Sequence, residues 1–271
     1  TKTIFSNTSD DEETVAQGLT AFNSNGFALG NDARFNSDER SGVAWNWYAP
    51  TAESIGASGS RLASTIKKNV DAGFSIVSYT TQSSGTATVG HGLSSPPDMI
   101  IVKTTGVADS WRTYHSSLGA GFQIFLNTTA TAGATVNQWN NTAPTSSVFS
   151  LGTDNAGSYT SVAYCFKSVP GMSDIGSYVG TGGSNSIVTG FRPSFVMVKA
   201  SSDPSSWYIV DNKRTPNNFL SPDSFAAEYT DAGKVIFNSN GFSFTSTSYN
   251  NSGYTWIYMA IAEQVYNANA V

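Results

Sequence analysis

Few side chains in this sequence belong to the types that carry out nucleophilic or metal chemistry. The 271 residues include two histidines and one cysteine. His91 stands between glycines in VGHGL, which is typical of a turn or surface position, and His115 lies in WRTYHSSLG. Cys165 lies in a strand-like run and is expected to be a buried structural thiol. A zinc site on this set would need carboxylates from distant loops, and no nucleophile elbow, phosphate-binding loop or dinucleotide fingerprint is present.

Carboxylates are more numerous, and turn chemistry accounts for most of them. The 19 Asp and Glu residues fall largely in runs such as GNDARFNSDER, GTDNAG and YTDAGK. In such runs an Asp or Asn side chain bonds to the backbone two residues further on. Two carboxylates that face one groove would suit glycoside hydrolysis, so a polysaccharide depolymerase is an alternative function. No cofactor is expected, and Ca²⁺ in the Asp- and Asn-rich loops is left open because no EF-hand spacing occurs.

Aromatic side chains are stronger candidates, and the chemistry that they favour is binding. Trp139 is flanked by Asn and Gln in VNQWNNTAP, so we expect it to be exposed and able to stack on a sugar ring. Trp111 and Trp207 each follow a serine, and four residues after them stand His115 and Asp211. These two pairs are either packing positions or ligand contacts. The ligand-binding candidates are therefore Trp139, Trp111, His115, Trp207 and Asp211.

Composition favours a β-rich protein and excludes two classes of partner. Aromatic residues make up 13% of the chain and charged residues only 12%, as is typical of pleated, half-buried surfaces. The net charge is −5 and no basic run exceeds two residues, so binding to nucleic acid by phosphate neutralisation is not expected. No apolar stretch reaches the 18 residues of a membrane-spanning helix, so membrane insertion is not expected either.

Two segments of about 95 residues match each other along most of their length. The run SPPDMIIVKTTGVADSW in the first parallels FRPSFVMVKASSDPSSW in the second, and eight residues separate Lys from Trp in both. Trp207 follows Trp111 by 96 residues, and the surrounding motifs keep nearly the same offset. A near-constant offset indicates an internal duplication. Because DMIIVK and WIYMAIAE are apolar at both parities, we expect central strands that are covered on both faces.

The N-terminal residues match only the second half of this unit. FNSNGF occurs at Phe22–Phe27 and again at Phe237–Phe242, and an Asn-Gly pair between Phe-bearing strands predicts a β-hairpin. Half a sandwich leaves an apolar face uncovered. The missing half lies upstream in a longer polypeptide, or the segment packs on the chain's own full units, or it docks onto another subunit. The assembly-interface candidates are accordingly Phe27, Trp45 and Trp47.

The expected fold is all-β, with tandem β-sandwich units of jelly-roll or lectin-like type. Residues 1–50 form the partial, second-half unit. Residues 51–73 are a connecting segment, with one short helix as an option. Residues 74–170 and 171–271 form the two full sandwiches.

The run AGFSIVSYTTQSSGTATVGHGLSSPPDMIIVKTTGVADSW, followed by YHSSLG and FLNTT, resembles a domain of unknown function. That domain recurs in proteins assigned to tail fibres and other virion parts of marine phages, especially cyanophages. The resemblance is strongest from Ala72 to about Thr129. It implies no catalytic residues that map onto this sequence.

What the resemblance implies is a structural virion or extracellular fibre component. Such a protein would be multimeric, with its own copies and other virion proteins as partners, and would present a β-rich surface to host glycans. A monomeric, glycan-binding lectin-like module is the first alternative and the depolymerase is the second. Light scattering separates the fibre component from the monomeric alternatives, and a glycan array with a reducing-end assay separates those from each other.

Overall fold

The computed structural model describes residues 1–214, 217–231 and 235–263, and its regular structure is nearly all β. Residues 264–271 of the predicted second sandwich lie outside this part. The helix that it contains is one 3-10 turn, Thr153–Asn155. Within the described residues, no helix has the length and apolar character needed to span a bilayer.

The described residues contain 24 strands, which we number in chain order. The N-terminal strands are β1 (Lys2–Thr3), β2 (Glu13–Thr14), β3 (Leu19–Asn23), β4 (Gly26–Leu29), β5 (Thr51–Ile55), β6 (Arg61–Leu62) and β7 (Ser64–Asn69). The middle strands are β8 (Phe74–Thr80), β9 (Ala87–Gly90), β10 (Met99–Thr104), β11 (Arg112–His115), β12 (Phe122–Phe125), β13 (Gly133–Ala134), β14 (Val148–Leu151) and β15 (Thr160–Phe166). The C-terminal strands are β16 (Ser173–Val179), β17 (Asn185–Val188), β18 (Pro193–Ala200), β19 (Tyr208–Asp211), β20 (Asn218–Phe219), β21 (Tyr229–Thr230), β22 (Val235–Asn238), β23 (Gly241–Phe244) and β24 (Thr255–Ala262).

Two β-sandwiches form the body of the protein. In the first, an eight-stranded sheet with the order β13-β12-β11-β10-β15-β8-β7-β5 covers a three-stranded sheet, β14-β9-β6. In the second, the sheet β16-β24-β18-β19 covers the sheet β17-β23-β22. Each sandwich has its own apolar core, the first around Val77 and Phe149 and the second around Val198 and Phe242. The all-β sandwich fold that the sequence predicts is thus confirmed.

A third core, which we call the central core, lies between the two large sheets. It joins Met99 and Phe166 of the first large sheet to Phe195, Met197 and neighbouring residues of the second. The central strands of the large sheets are therefore buried on both faces, and β10 has no exposed residue. This arrangement explains why DMIIVK and WIYMAIAE are apolar at both parities.

Three short strand pairs have the same register, because the paired residues are 12 apart along the chain in each of them. Lys2 pairs with Thr14 in β1–β2, Phe122 with Ala134 in β12–β13, and Asn218 with Thr230 in β20–β21. Each strand pair thus encloses a connection of the same length. The large sheets also share one order, since β8, β15, β10 and β11 follow one another as β16, β24, β18 and β19 do. These registers agree with an internal duplication, which itself stays a prediction.

The segment predicted to connect the units, residues 51–73, is part of the first sandwich. It contains no helix; instead β5 and β7 pair with each other and β7 pairs with β8. Its side chains alternate only weakly between apolar and polar because β5 is the outer strand of the sheet and is largely exposed. Such a strand is recognisable only from the neighbour to which it bonds.

Both copies of FNSNGF form the expected hairpin. Asn23 pairs with Gly26, and Asn238 pairs with Gly241. The turn residues are therefore Ser-Asn, one position earlier than the Asn-Gly pair that the motif suggests.

The stretch AWNWYAP corresponds in sequence to a central strand but is not a strand in the structure. Trp45 aligns with Trp256, which lies within β24 between β16 and β18. Around Trp45 no such neighbouring strands occur among the described residues. A segment without a neighbouring strand on either side cannot form the backbone hydrogen bonds of a sheet.

Each sandwich is attached to the preceding unit by a tryptophan indole. The Nε1 group of Trp111 donates to the carbonyl of Phe5, and that of Trp207 donates to the carbonyl of Phe125, both at 2.9 Å. The acceptors follow one another by 120 residues, as Phe122 follows Lys2. They lie in the similar runs IFSNTS and IFLNTT, a correspondence that the analysis of the sequence missed.

A buried lysine accompanies each of these indoles. Lys103 Nζ donates to the carbonyls of Thr104, Asp109 and Ser9, and Lys199 Nζ to those of Ala200 and Thr129. Burial lowers the pKa of both ammonium groups, that of Lys199 to about 8. Backbone carbonyls thus replace the water that each ammonium loses. We call the pair of contacts, indole to carbonyl and lysine to carbonyl, the joint.

Replacing Trp207 by Phe should destabilise the protein more than replacing Trp139 by Phe. Both indoles are buried, but the Trp139 Nε1 group has no hydrogen-bond partner among the residues that the structure describes, whereas removal of the Trp207 group leaves the carbonyl of Phe125 unsatisfied. We expect Trp207→Phe to lower the free energy of unfolding by about 1–2 kcal/mol more than Trp139→Phe. Urea unfolding measures both variants. Equal losses of unfolding free energy in the two variants would show that the Trp207 indole stabilises the protein by packing alone and not by its hydrogen bond.

Candidate assembly site

Trp139 is buried, so the expectation that it is exposed is wrong. Its side chain is 1% exposed and packs edge-on against Tyr114, with ring centroids 5.8 Å apart. The polar neighbour Gln138 is buried as well, because its amide donates to Asn155 Oδ1 at 2.8 Å. A loop whose polar groups are bonded internally resembles a surface loop in sequence. In this structure Trp139 cannot contact a glycan.

His115 and Asp211 occupy equivalent places and do the same structural work. The Nδ1 atom of His115 accepts the N–H of Ser117, and Asp211 Oδ1 accepts the N–H of Lys213. Since Nδ1 accepts, Nε2 carries the proton of the ring and points at the carbonyl of Tyr258, 3.3 Å away. Both side chains are buried, as are Trp111 and Trp207. These four side chains therefore hold the fold together, and Trp111 also lines the cleft described below.

The remaining chemistry-bearing side chains are structural too. His91 is buried rather than at the surface; its Nδ1 accepts the N–H of Leu93 and its Nε2 lies 3.0 Å from the carbonyl of Thr145. Cys165 is a buried free thiol, as expected, and burial raises its pKa to about 12. Over the described residues no three His, Cys, Asp or Glu side chains come together as a metal site.

A cleft of about 1180 Å³ lies between the N-terminal residues and the central core. Phe22, Phe27, Trp45 and Trp47 line one side, and residues such as Met197 line the other. None of the lining residues is charged. We call this region the open cleft. A cavity of this size and character is suited to apolar side chains rather than to an ion.

The aromatic segment of residues 44–48 only partly covers the central core. Trp45 packs edge-on against Phe195 at 5.7 Å and lies under the guanidinium of Arg214. Trp47 contacts Phe74 and Phe166 but stays 40% exposed. A second cavity, of about 480 Å³, is lined by the same segment. The sequence left three alternatives for the half-unit, and packing on the chain's own units is the one that describes these two tryptophans. They cover the central core incompletely.

The two FNSNGF hairpins differ sharply in burial, although their sequences are identical. Phe242 is fully buried in the second sandwich, whereas its counterpart Phe27 is 38% exposed and Phe22 is 79% exposed. In the second sandwich β23 pairs with both β22 and β17, but within the described residues β4 pairs with β3 alone. The difference shows which apolar surface of the half-unit lacks cover. Of the three assembly-interface candidates, Phe27 is thus the one whose strand lacks a second neighbouring strand among the described residues.

A family model for a domain of unknown function, DUF7483, matches residues 1–265. Neither a curated protein nor a solved structure matches the chain significantly.

Replacing His115 by Gln should make the protein less sensitive to acid. Burial lowers the pKa of His115 to about 4, below the ordinary value of 6.5. Between these values the unfolded chain takes up a proton that the folded chain does not, so stability falls as the pH drops. We expect the wild type to lose about 2–3 kcal/mol more than His115→Gln between pH 7 and pH 4.5. Urea unfolding at both pH values is the measurement, and parallel losses would contradict a neutral, buried imidazole.

Proposed function

We propose that this chain, which belongs to the DUF7483 family of domains of unknown function, is a structural component of a virion or of an extracellular fibre. In this role it assembles with its own copies and with other virion proteins, and it contributes to attachment at a host surface. The resemblance of residues 72–129 to phage tail-fibre domains supports the location. The proposal requires no catalytic residue and no cofactor.

The repeated joint is the observation that carries this proposal. Trp111 and Lys103 join the first sandwich to the N-terminal half-unit, and Trp207 and Lys199 join the second sandwich to the first. The chain thus extends by adding each unit to the previous one through the same contacts. Repeated contacts of this kind build closed rings or open filaments, and both are assemblies that a virion or fibre component can form.

In solution the protein should form particles with a mass at least twice the 28.6 kDa of one chain. Light scattering after size exclusion gives the mass, and negative-stain microscopy shows whether the particles are closed or filamentous. Apolar surface drives this association, so it should persist in 0.5 M salt. A monomer at every concentration up to 50 µM, together with no labelling of virions or fibres by an antibody against the chain, would exclude the proposal.

A second candidate function, binding of a host-surface glycan, is favoured by the lining of the open cleft. Trp47 and Tyr48 present exposed aromatic faces there, beside the amides of Asn23 and Asn46. Aromatic faces stack on sugar rings, and amides bond to sugar hydroxyls. The chain would then be a lectin-like module, whether or not it assembles.

On a glycan array, Trp47→Ala should weaken saturable binding at least about tenfold, because a stacked aromatic ring is lost. The matched control is Trp139→Phe, whose side chain is buried in the first sandwich. Equal binding by the wild type and Trp47→Ala would remove the cleft as a glycan site. That the chain is not an enzyme stays a prediction, and a reducing-end assay on any bound polysaccharide tests it.

A further inference from the structure

The glycine of FNSNGF reveals the strand that the half-unit lacks. In the second sandwich a Cβ on Gly241 would stand 2.0 Å from the carbonyl oxygen of Ile187 in β17, so only glycine fits there. At Gly26, which has nearly the same φ, a Cβ would meet nothing within 4 Å. Without such a neighbour, space alone does not require glycine at this position. The hairpin therefore has the shape of one that a β17-type strand would cover.

A second unpaired edge lies at Ile4. In the first sandwich, Thr113 of β11 pairs with Ile124, and in the second, Ile209 bridges to Leu220. By the register that β1–β2 shares with β12–β13, Ile4 is the counterpart of Ile124. No strand pairs with Ile4 among the described residues. A β11-type strand is thus lacking beside Ile4, as a β17-type strand is lacking beside β4.

The second sandwich has a segment at which a third joint could form. The joint uses the segments that begin at Phe5 and Phe125, and the next such segment begins at Ser221, which follows Phe125 by 96 residues as Trp207 follows Trp111. That segment already touches the half-unit, because Ser6 Oγ donates to the carbonyl of Pro222 at 2.8 Å. Beside it Phe225 is 85% exposed. The segment thus occupies the place at which a further tryptophan and lysine would attach.

We propose that the open cleft is the docking site of the first half of a β-sandwich unit, supplied by the polypeptide N-terminal to residue 1. This half-unit has about 50 residues and strands of the β16, β17, β18 and β19 types. Its β17-type strand pairs with β4, its β19-type strand pairs at Ile4, and its β18-type strand covers the central core. The inference rests on the proposed assembly function and names the segment that the cleft takes.

The chemistry of the occupant follows from the two first halves that the structure contains. Its central strand is apolar at both parities, because one face meets the central core and the other meets the hairpin of β3 and β4. It carries Lys and Trp eight residues apart, which reach the carbonyls of the segment at Ser221. Strand addition supplies backbone hydrogen bonds, and the apolar side chains fill the cleft.

A half-unit that belongs to the same polypeptide fits the open cleft better than a half-unit from a second copy. In the first sandwich only residues 116–121 separate β11 from β12. A strand placed beside Ile4 would therefore reach β1 through a connection of similar length. A second copy has no spare first half, since β8–β11 and β16–β19 are already paired within their own sheets. It could supply such a strand only by unfolding a sandwich.

Amide hydrogen exchange on the 271-residue chain provides the baseline. In a two-residue hairpin, the residues next to the closing pair have their N–H groups directed away from the partner strand of the hairpin. The N–H of Phe27 therefore faces the cleft, and that of Phe242 faces Ile187. The local sequences are identical, and so are the intrinsic exchange rates. We expect Phe27 to exchange at least about a hundredfold faster than Phe242. Protection of Phe27 that rises with protein concentration would instead identify a second copy as the occupant and overturn the proposal.

The decisive experiment supplies the missing half. A copy of residues 73–121 is fused ahead of Lys2, so that the copied Gly121 replaces Thr1 and the connection of the first sandwich is reproduced. We expect Phe27 to become protected at least about a hundredfold and acrylamide to quench Trp47 less. The control fusion carries Met99→Asp and Ile101→Asp in the copied segment only, and should leave Phe27 unprotected.

Gly26→Ala in the fusion protein tests the site of strand addition. In the unfused chain this change meets open space, whereas Gly241→Ala collides with Ile187; the backbone strain is common to both. We expect Gly26→Ala to leave the unfused chain folded and to remove the protection gained by fusion. A fused segment that stays sensitive to protease, with Phe27 unprotected, would overturn the docking proposal. It would leave assembly and host attachment, which light scattering and antibody labelling measure, unaffected.

Discussion

Burial of both faces of the two large sheets is the constraint on which the rest of the structure depends. Each large sheet has one face in its own sandwich and the other in the central core. A sheet of this kind is stable only while something apolar covers each face. Around the central core the first and second sandwiches cover one another, and the N-terminal half-unit provides the rest of the cover. The open cleft is the part of that core which these units do not fill.

The residues that look chemically active serve this packing. Six of these residues are buried, and their polar atoms form hydrogen bonds with backbone groups: His91, His115, Lys103, Lys199, Trp111 and Trp207. A buried polar group without such a partner lowers the stability of the fold. His115 and Asp211 differ in chemistry yet accept the same N–H group at equivalent turns. Their shared task is geometric, which is why one can stand where the other does.

Much of the strand pattern was predictable, and the failures have one physical cause. Two strands have the bounds that the sequence predicts, Phe74–Thr80 and Met99–Thr104. A short apolar run between turn residues is typical of a buried strand. Strands β5 and β7 were missed because their own side chains barely alternate and their neighbours define them. Trp139 was misplaced because polar residues around it bond to one another inside the fold. In each case the deciding partner lies far away in sequence.

By itself, the sequence determined that the chain is all-β, that its central strands are covered on both faces, and that FNSNGF turns the chain twice. Those features depend on side chains within a few residues of one another. Only the tertiary structure decided that the same six residues are sealed in one place and open in another. Burial depends on which strand lies alongside, and for β4 no such strand occurs among the described residues.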